Sequence, residues 1–565
     1  MIVPVRMREN ILRRIEKRVE ALDKGYRQNI GLIGCEGLGK TYLLTSLYNS
    51  LKGQARFIPI YLDATFLDLD NLIEKWVGAM LSGVFISREV TPPSLFQSLL
   101  TAAEPIVPKT TEKIRHLKKM ARREQNAATV RELFSLTAVL EQETGKKIIL
   151  MIDEFQSLEN LPAPDPFALL GKEIMVEKNT LYLVASSNPV KAKEIFREKL
   201  SLLFANFEVI ETPPFSFEES SVFLDAKMIH RGLTVTQKKF MIRMTDGQPV
   251  YLQILLEQLE THMKSGSIFD PSGAEGISSE DLLRVFELEL FNRNARIALM
   301  FENRIERCRR IAREGNFYIQ ALLALSHSRH QVVQIAAFME KKIQDTKKML
   351  NRLVEQDFVI RKGDFYLIQD PLFRFWLREV FQRRTHHYVP SDPLAREEFI
   401  KILRQEYQKE EQEEVVDITA RLEALFKGFQ NHVIEIDQKK NRYPHFSEIA
   451  FRPTNGRVFP LVAKAGNVRW FCQSARETIH EEDVALFVEE LKRSRKKIQH
   501  KVMIALNGID QNAKLMAQEA KVQIWDLKNF NELLDLYSLP KIIVVPDKEL
   551  NGSPVGALAQ SVHTA

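Results

Sequence analysis

Residues 34–41 read Gly-Cys-Glu-Gly-Leu-Gly-Lys-Thr, and few segments restrict a fold so tightly. The spacing is that of a phosphate-binding loop, which is informative only between a strand and a helix. Both flanks comply: Ile30 to Ile33 is an apolar run that predicts a buried strand, and Tyr42 to Leu47 predicts a helix. In such a loop the glycines let backbone N–H groups converge on phosphate oxygens at the positive end of the following helix. Lys40 would reach the β- and γ-phosphates, and the Thr41 hydroxyl would ligate Mg²⁺. The expected nucleotide contacts are therefore Gly34, Cys35, Glu36, Gly37, Leu38, Gly39, Lys40, Thr41 and Tyr42. The plainer reading of the same residues is a glycine-rich turn before an ordinary helix.

A hydrolytic site needs a second half, and Lys146 to Phe155 supplies it. The unbroken apolar stretch Ile148 to Ile152 suits a central parallel strand buried on both faces. Two carboxylates, Asp153 and Glu154, follow at its C-terminal end, where open α/β sheets place their ligands. Asp153 would touch the metal or accept from a metal-bound water; Glu154 would orient and deprotonate the attacking water. A pair of solvated acids at a strand end is the simpler alternative. A further strand, Leu181 to Ala185, ends in Ser186-Ser187-Asn188-Pro189. There Asn188, or Ser187, would sense the γ-phosphate or help hold the water, although small polar residues before proline are also ordinary turn chemistry. Asp246 to Tyr251 would end one helix and begin another, with Pro249 near its first turn.

The succession of phosphate loop, MIDEFQSL, VASSNP, PPFSFEES and TDGQPVYLQIL resembles the archaeal-type ATPases. These belong to the STAND group of P-loop NTPases, close to AAA+ and origin-recognition ATPases. The resemblance extends through TKKMLNRLVEQDFVI and YLIQDPLFRFWL, which look like a winged-helix region, and more weakly into a C-terminal domain similar to restriction endonucleases. It implies an Mg²⁺-dependent ATPase with ATP as its nucleotide, a helical lid that brings Gly247 and Pro249 close to the site, and a DNA-linked role. Two features depart from the family. Related chains often carry an arginine where this one reads Leu203-Phe204-Ala205-Asn206-Phe207, which leaves Arg197 as the nearest arginine-finger candidate. The loop also lacks the basic residues common in archaeal members.

Size and composition bound the rest. A chain of 565 residues exceeds what one core holds and predicts three or four domains. Hydrophobic content of 45% and charged content of 27% are those of an ordinary globular protein. No apolar run approaches a membrane span, and the first residues lack a secretory core, so a cytoplasmic location is expected. The three cysteines, Cys35, Cys308 and Cys472, show no metal-ligand spacing and argue against a disulfide framework. A net charge of +6 is compatible with a nucleic-acid partner without requiring one.

The expected organisation is an α/β P-loop core over 1–215, a helical lid and connector over 216–310, a winged helix-turn-helix over 311–390, a charged helical connector over 391–420, an α/β endonuclease-like domain over 421–545 and a flexible tail over 546–565. The N-terminal basic helix, Arg8 to Lys24, is expected against the nucleotide base. Lys113, Arg115, Lys118, Lys119, Arg122 and Arg123 cluster in a helical insertion and read as a solvated face or, alternatively, as a DNA or subunit contact. In the winged-helix segment, Lys341, Lys342, Lys347, Lys348 and Arg352 would touch the phosphates of double-stranded DNA, which position a protein without reading sequence. In the last domain Lys464 fits an endonuclease lysine, but Val462 and Ala450 stand where carboxylates are needed; Glu448 and Glu423 are the remaining acids. Loss of two metal ligands predicts a degenerate nuclease fold kept for binding or assembly. Three functions follow in order: an ATPase used as a switch; a nucleotide-gated scaffold for homo-oligomerisation or partner recruitment; and an ATP-dependent nuclease.

Overall fold

The computed structural model describes residues 8–200, 206–228, 232–264, 277–311, 315–386, 393–413, 418–437, 439–451, 458–475, 477–493 and 498–543. The expected flexible tail, and the loop expected over Ser265 to Ile277 except its last residue, lie outside them. The chain divides into two compact units, one of Met1–Glu219 with Gln248–Gln253, the other of Ser220–Gly247 with Ile254–Ala565. No helix of the described residues is long and apolar enough to cross a membrane.

The first unit is built on five strands: β1 (Asn29–Ile33), β2 (Phe57–Asp63), β3 (Lys147–Asp153), β4 (Thr180–Ser186) and β5 (Phe207–Glu211). All pair in parallel, in the order β2-β3-β4-β1-β5. Every residue of β1 and β4 is buried, as is all of β3 after its first residue, so these strands need helices on both faces. The helices Glu9–Asp23 and Lys40–Leu51 cover one face, joined to the sheet through Ile15, Leu22, Leu43 and Leu44. Helices Leu69–Ile86, Ala127–Thr144 and Pro166–Val176 cover the other, around Trp76, Phe134 and Phe167.

The N-terminal helix buries Leu12, Ile15, Val19 and Leu22, and its Arg14 and Arg18 both pair with Glu208 on β5 at 2.6 Å. These two basic residues thus serve the sheet edge. In the insertion, Lys113, Arg115 and Lys118 of helix Pro108–Arg123 pair with Glu132, Glu104 and Glu74. Lys119, Arg122 and Arg123 face solvent.

At the opposite end of the strands from their C-termini, Glu177 is buried beside β4. The Tyr182 hydroxyl donates to its carboxylate at 2.7 Å, while the Asn29 side chain accepts from the Tyr182 N–H at 3.0 Å. Burial pushes the Glu177 carboxyl up to about 8 from 4.5. The folded chain therefore keeps a proton that the unfolded chain releases above about 4.5. This contribution to stability is complete below that pH and is lost as pH rises through about 8. Glu177→Gln, neutral at every pH, should gain melting temperature relative to the parent between pH 6 and 9, on the order of several degrees, as read by thermal denaturation. Parallel melting curves at all pH values would contradict the assignment.

The second unit carries three structural parts. Helices Val235–Thr245, Ser279–Phe291, Arg296–Arg309 and Pro393–Glu413 form a helical part. The last of these falls in the expected connector, yet it is a packed helix: Phe399, Leu403 and Tyr407 are buried, and Glu410 meets Arg243 at 2.6 Å. Next come helices Gly315–Ser326, Val332–Phe338 and Ile343–Glu355, followed by the antiparallel hairpin β6 (Ile360–Lys362) and β7 (Phe365–Leu367). The C-terminal part begins with helix Ile418–Gly428 and the hairpin β8 (His432–Ile436) and β9 (Lys439–Tyr443). A five-stranded sheet follows, β10 (Glu448–Phe451), β11 (Val458–Ala465), β12 (Val468–Ala475), β13 (His500–Ala505) and β14 (Gln523–Asp526), in that order. The first three strands are antiparallel and the last three parallel.

A chain of alternating charges ties these parts together. Arg374 reaches Asp535 at 2.8 Å, Asp535 faces Lys541 at 3.7 Å, and Lys541 reaches Asp246 at 2.8 Å. Burial alone would raise the Asp535 carboxyl, but Arg374 and Lys541 hold it at about 2. Asp246 is the αL residue that ends helix Val235–Thr245, immediately before Gly247.

Candidate functional site

The loop after β1 takes the conformation its glycines allow. Gly37 and Gly39 have φ of 79° and 83°, a region costly for residues with a Cβ. At Gly34 the constraint is contact instead: a Cβ there would lie 2.1 Å from the Thr212 hydroxyl and 2.6 Å from its carbonyl. Thr212 follows β5 and is anchored by its N–H to the Ile33 carbonyl at 2.7 Å. Leu38 is buried, Glu36 and Tyr42 are exposed, and Cys35 is half-buried.

Lys40 opens the helix Lys40–Leu51 and is 4% exposed. Its ammonium donates to the Gly34 and Cys35 carbonyls at 2.7 Å each, so the charge points into the cradle of the loop. Burial lowers its pKa, and the Glu154 and Asp153 carboxylates act in the opposite sense. A buried ammonium with only carbonyl acceptors fits a site that takes a polyanion.

Because β4 separates β1 from β3, the ends of three sequence-distant segments lie side by side. Thr41 donates its hydroxyl to Asp153 Oδ2 at 2.6 Å, and the Tyr61 hydroxyl on β2 donates to the same oxygen at 3.2 Å. The other oxygen, Oδ1, accepts from the Glu154 N–H at 3.0 Å. Burial raises the Asp153 pKa, opposed by the Thr41 hydrogen bond. The hydroxyl and carboxylate form a hard-oxygen donor pair of the kind Mg²⁺ requires.

Glu154 stands in the left-handed region, φ 50° and ψ 40°, which is uncommon for a residue with a Cβ and turns its side chain away from the strand direction. Its Oε2 accepts from the Ser187 hydroxyl at 2.6 Å and from the Gln156 amide at 2.5 Å. Ser187 is thus the residue after β4 that meets the catalytic candidate. Asn188 instead commits its side-chain oxygen to the Lys191 N–H at 2.9 Å, as the N-cap of helix Pro189–Glu194. Tyr61 and Gln156 were not among the residues expected from sequence.

Pro249 opens the helix Pro249–Lys264 as anticipated, and the neighbouring Val250 packs on the loop: a Cβ at Gly37 would lie 2.5 Å from Val250 Cγ1. Gly247, at φ 69°, belongs to the second unit. Arg197 is exposed on the short helical turn Ile195–Lys199. Leu203, Phe204 and Ala205 lie outside the described residues, and Phe207 begins β5.

Of the basic residues in the second unit, Lys342, Lys347 and Lys348 are exposed on or beside helix Ile343–Glu355. Lys341 sits over the Phe317 ring at 3.4 Å, and Arg352 pairs with Glu355 at 3.1 Å. In the C-terminal sheet, Lys464 and Glu448 are register partners 3.6 Å apart, Val462 faces Ala450, and Glu423 pairs with Lys427 at 2.6 Å.

Sheet order, loop conformation and the carboxylates at the end of β3 define the first unit as an α/β P-loop NTPase fold. No family model and no curated protein matches the sequence. Among solved structures, the chain is similar to a Walker-type ATPase of Pyrococcus abyssi, 17% identical over 66% of this chain and 95% of that one, with a TM-score of 0.42. It is also similar to the ORC2 protein of Aeropyrum pernix with ADPNP and ADP, 12% identical over 68% of this chain and 97% of that one, at 0.43. A variant of RuvB from Thermotoga maritima is 12% identical over 66% and 95%, at 0.31.

Gly37→Ala places a methyl group both in a strained backbone and against Val250. It should weaken binding of a fluorescent ATP analogue by on the order of tenfold or more, and Val250→Ala should restore part of the loss, the remainder reflecting roughly 1–3 kcal/mol of backbone strain. No effect of Gly37→Ala on nucleotide affinity would contradict the role of the loop.

Proposed function

We propose that this chain is a Mg²⁺-dependent ATPase whose nucleotide state acts as a switch, and that it associates with double-stranded DNA through a winged helix-turn-helix over 311–390. The observation that carries the enzymatic part is Glu154: a carboxylate one residue beyond the Thr41–Asp153 pair, held by Ser187 and Gln156 in a rare backbone conformation. In this reading the loop and Lys40 hold the triphosphate, and Thr41 and Asp153 would hold Mg²⁺, which supplies neutralisation of the phosphate charge. Glu154 accepts the proton of the attacking water and Ser187 fixes the direction of its carboxylate. ATP is preferred over GTP from the family resemblance. The helix-helix-helix-hairpin order and the exposed Lys342, Lys347 and Lys348 support the DNA part. The C-terminal part is read as an endonuclease-like fold that does not cleave, because apolar Val462 and Ala450 occupy the positions of two ligands.

The same two hydrogen bonds on Glu154 favour a second reading. A carboxylate already engaged by Ser187 and Gln156 suits a nucleotide-gated scaffold for self-assembly or partner recruitment, with negligible turnover.

Steady-state ATP turnover with and without duplex DNA separates the two. The enzyme reading predicts measurable turnover that Glu154→Gln lowers by about 10²–10⁴, the range of general-base catalysis, with nucleotide affinity retained. Lys40→Ala should instead lose affinity by about 1.5–3 kcal/mol, the worth of a charge-assisted hydrogen bond. Tight ATP binding with no turnover under either condition supports the scaffold.

A further inference from the structure

We infer that the hairpin β6–β7 is an intramolecular bracket that grips the C-terminal part, and that the outer face of helix Ile343–Glu355 is left as the nucleic-acid surface. The hairpin tip is engaged along one side. Asp364 donates its N–H to the Val433 carbonyl at 2.8 Å and accepts the Val433 N–H on its carboxylate at 2.7 Å. Val433 lies on β8, whose pairing with β9 uses the other edge, so the hairpin tip caps an otherwise open strand edge. The approach is so tight that a Cβ at Gly363 would stand 2.1 Å from the Val433 carbonyl oxygen, and the turn needs φ 69° as well. Only glycine fits both demands.

The grip continues along the hairpin. Lys362 pairs with Glu532 at 3.2 Å on the helix Leu527–Leu536, so the tip cation is directed inward. Phe365 and Leu367 belong to the same hydrophobic core as Phe426, Phe429 and Ile434 of the C-terminal part. Phe365 meets His432 edge-on at 5.0 Å between ring centres. Detaching the hairpin from the C-terminal part would break a shared core, although Arg361 and Asp364 remain exposed at its tip.

Helix Ile343–Glu355 shows the converse. Thr346, Leu350 and Leu353 are buried, and Lys342, Lys347 and Lys348 stand exposed beside the exposed Arg352. Among the described residues, Lys342, Lys347 and Lys348 carry no ion-pair partner. Three unpaired lysines on one element imply about three phosphate contacts, hence a slope of log affinity against log salt of about −2.7. Such a surface binds weakly and without sequence preference as a single copy.

The nucleic-acid half of this inference rests on the DNA-associated reading; the bracket does not, and the experiment keeps them apart. Duplex DNA binding is measured by fluorescence anisotropy across a salt series for the full chain, for Lys347→Ala with Lys348→Ala, and for Arg361→Ala with Lys362→Ala. Hydrogen exchange at the Val433 amide is followed in parallel in the parent and in Asp364→Ala. The expected result is a slope near −2.7 that falls by about two units in the helix variant and stays unchanged in the hairpin variant. Val433 should be protected in the parent and exchange at least about tenfold faster in Asp364→Ala. Equal weakening by the hairpin variant, or an unprotected Val433, overturns the bracket. Absence of DNA binding by the parent overturns the DNA-associated reading while the Val433 result still decides the bracket.

Discussion

The hydrogen bond from Thr41 to Asp153 depends on a strand order. Were β1 and β3 adjacent, no residue of β4 could stand between the loop and the acid pair. Because β4 intervenes, its C-terminal end delivers Ser187 to Glu154 while Thr41 still reaches Asp153 across the top of the sheet. Three buried strands thus fix the origins of these side chains, and the two contacts at 2.6 Å follow from that rigid spacing. Tyr61 enters the same constellation from β2, on the far side of β3.

The second unit depends on a different principle, the sharing of a core. Its hairpin contributes Phe365 and Leu367 to the interior of the C-terminal part, and the half-buried series Arg374–Asp535–Lys541–Asp246 fastens the same part to the end of helix Val235–Thr245. Shielded charges of this kind add little net stability when complete, yet removing one partner leaves the other poorly solvated and is destabilising. They therefore act mainly to fix one arrangement. Asp246 stands four residues along the chain from Val250, the side chain against the phosphate loop.

Much of this was legible in the sequence, for identifiable reasons. The loop glycines, Lys40, Thr41 and the Asp153–Glu154 pair lie on motifs flanked by unbroken apolar runs, and such runs admit little but buried parallel strands. A proline at the first helical position makes the preceding Asn188 the cap through its side-chain oxygen, while the contact to Glu154 falls to Ser187. Tyr61 was hidden because β2 carries Pro59, and a proline demotes a strand reading. Strand β12, central in the C-terminal sheet, mixes Arg469, Gln473 and Ser474 among its apolar residues and shows no clean alternation. The charge density of helix Pro393–Glu413 masked Phe399, Leu403 and Tyr407, whose i, i+4, i+8 spacing is that of a packed stripe. The engaged hairpin tip could not be read at all, since its partner Val433 lies 69 residues from Asp364.

The most direct measurement is equilibrium binding of a non-hydrolysable ATP analogue with Mg²⁺ present or removed by chelation, for the parent and for Asp153→Asn. A phosphate site completed by Thr41 and Asp153 predicts that Mg²⁺ tightens binding to the parent and that this increment, on the order of tenfold, disappears in Asp153→Asn. Affinity that ignores Mg²⁺ in both proteins, or no binding at all, would contradict it.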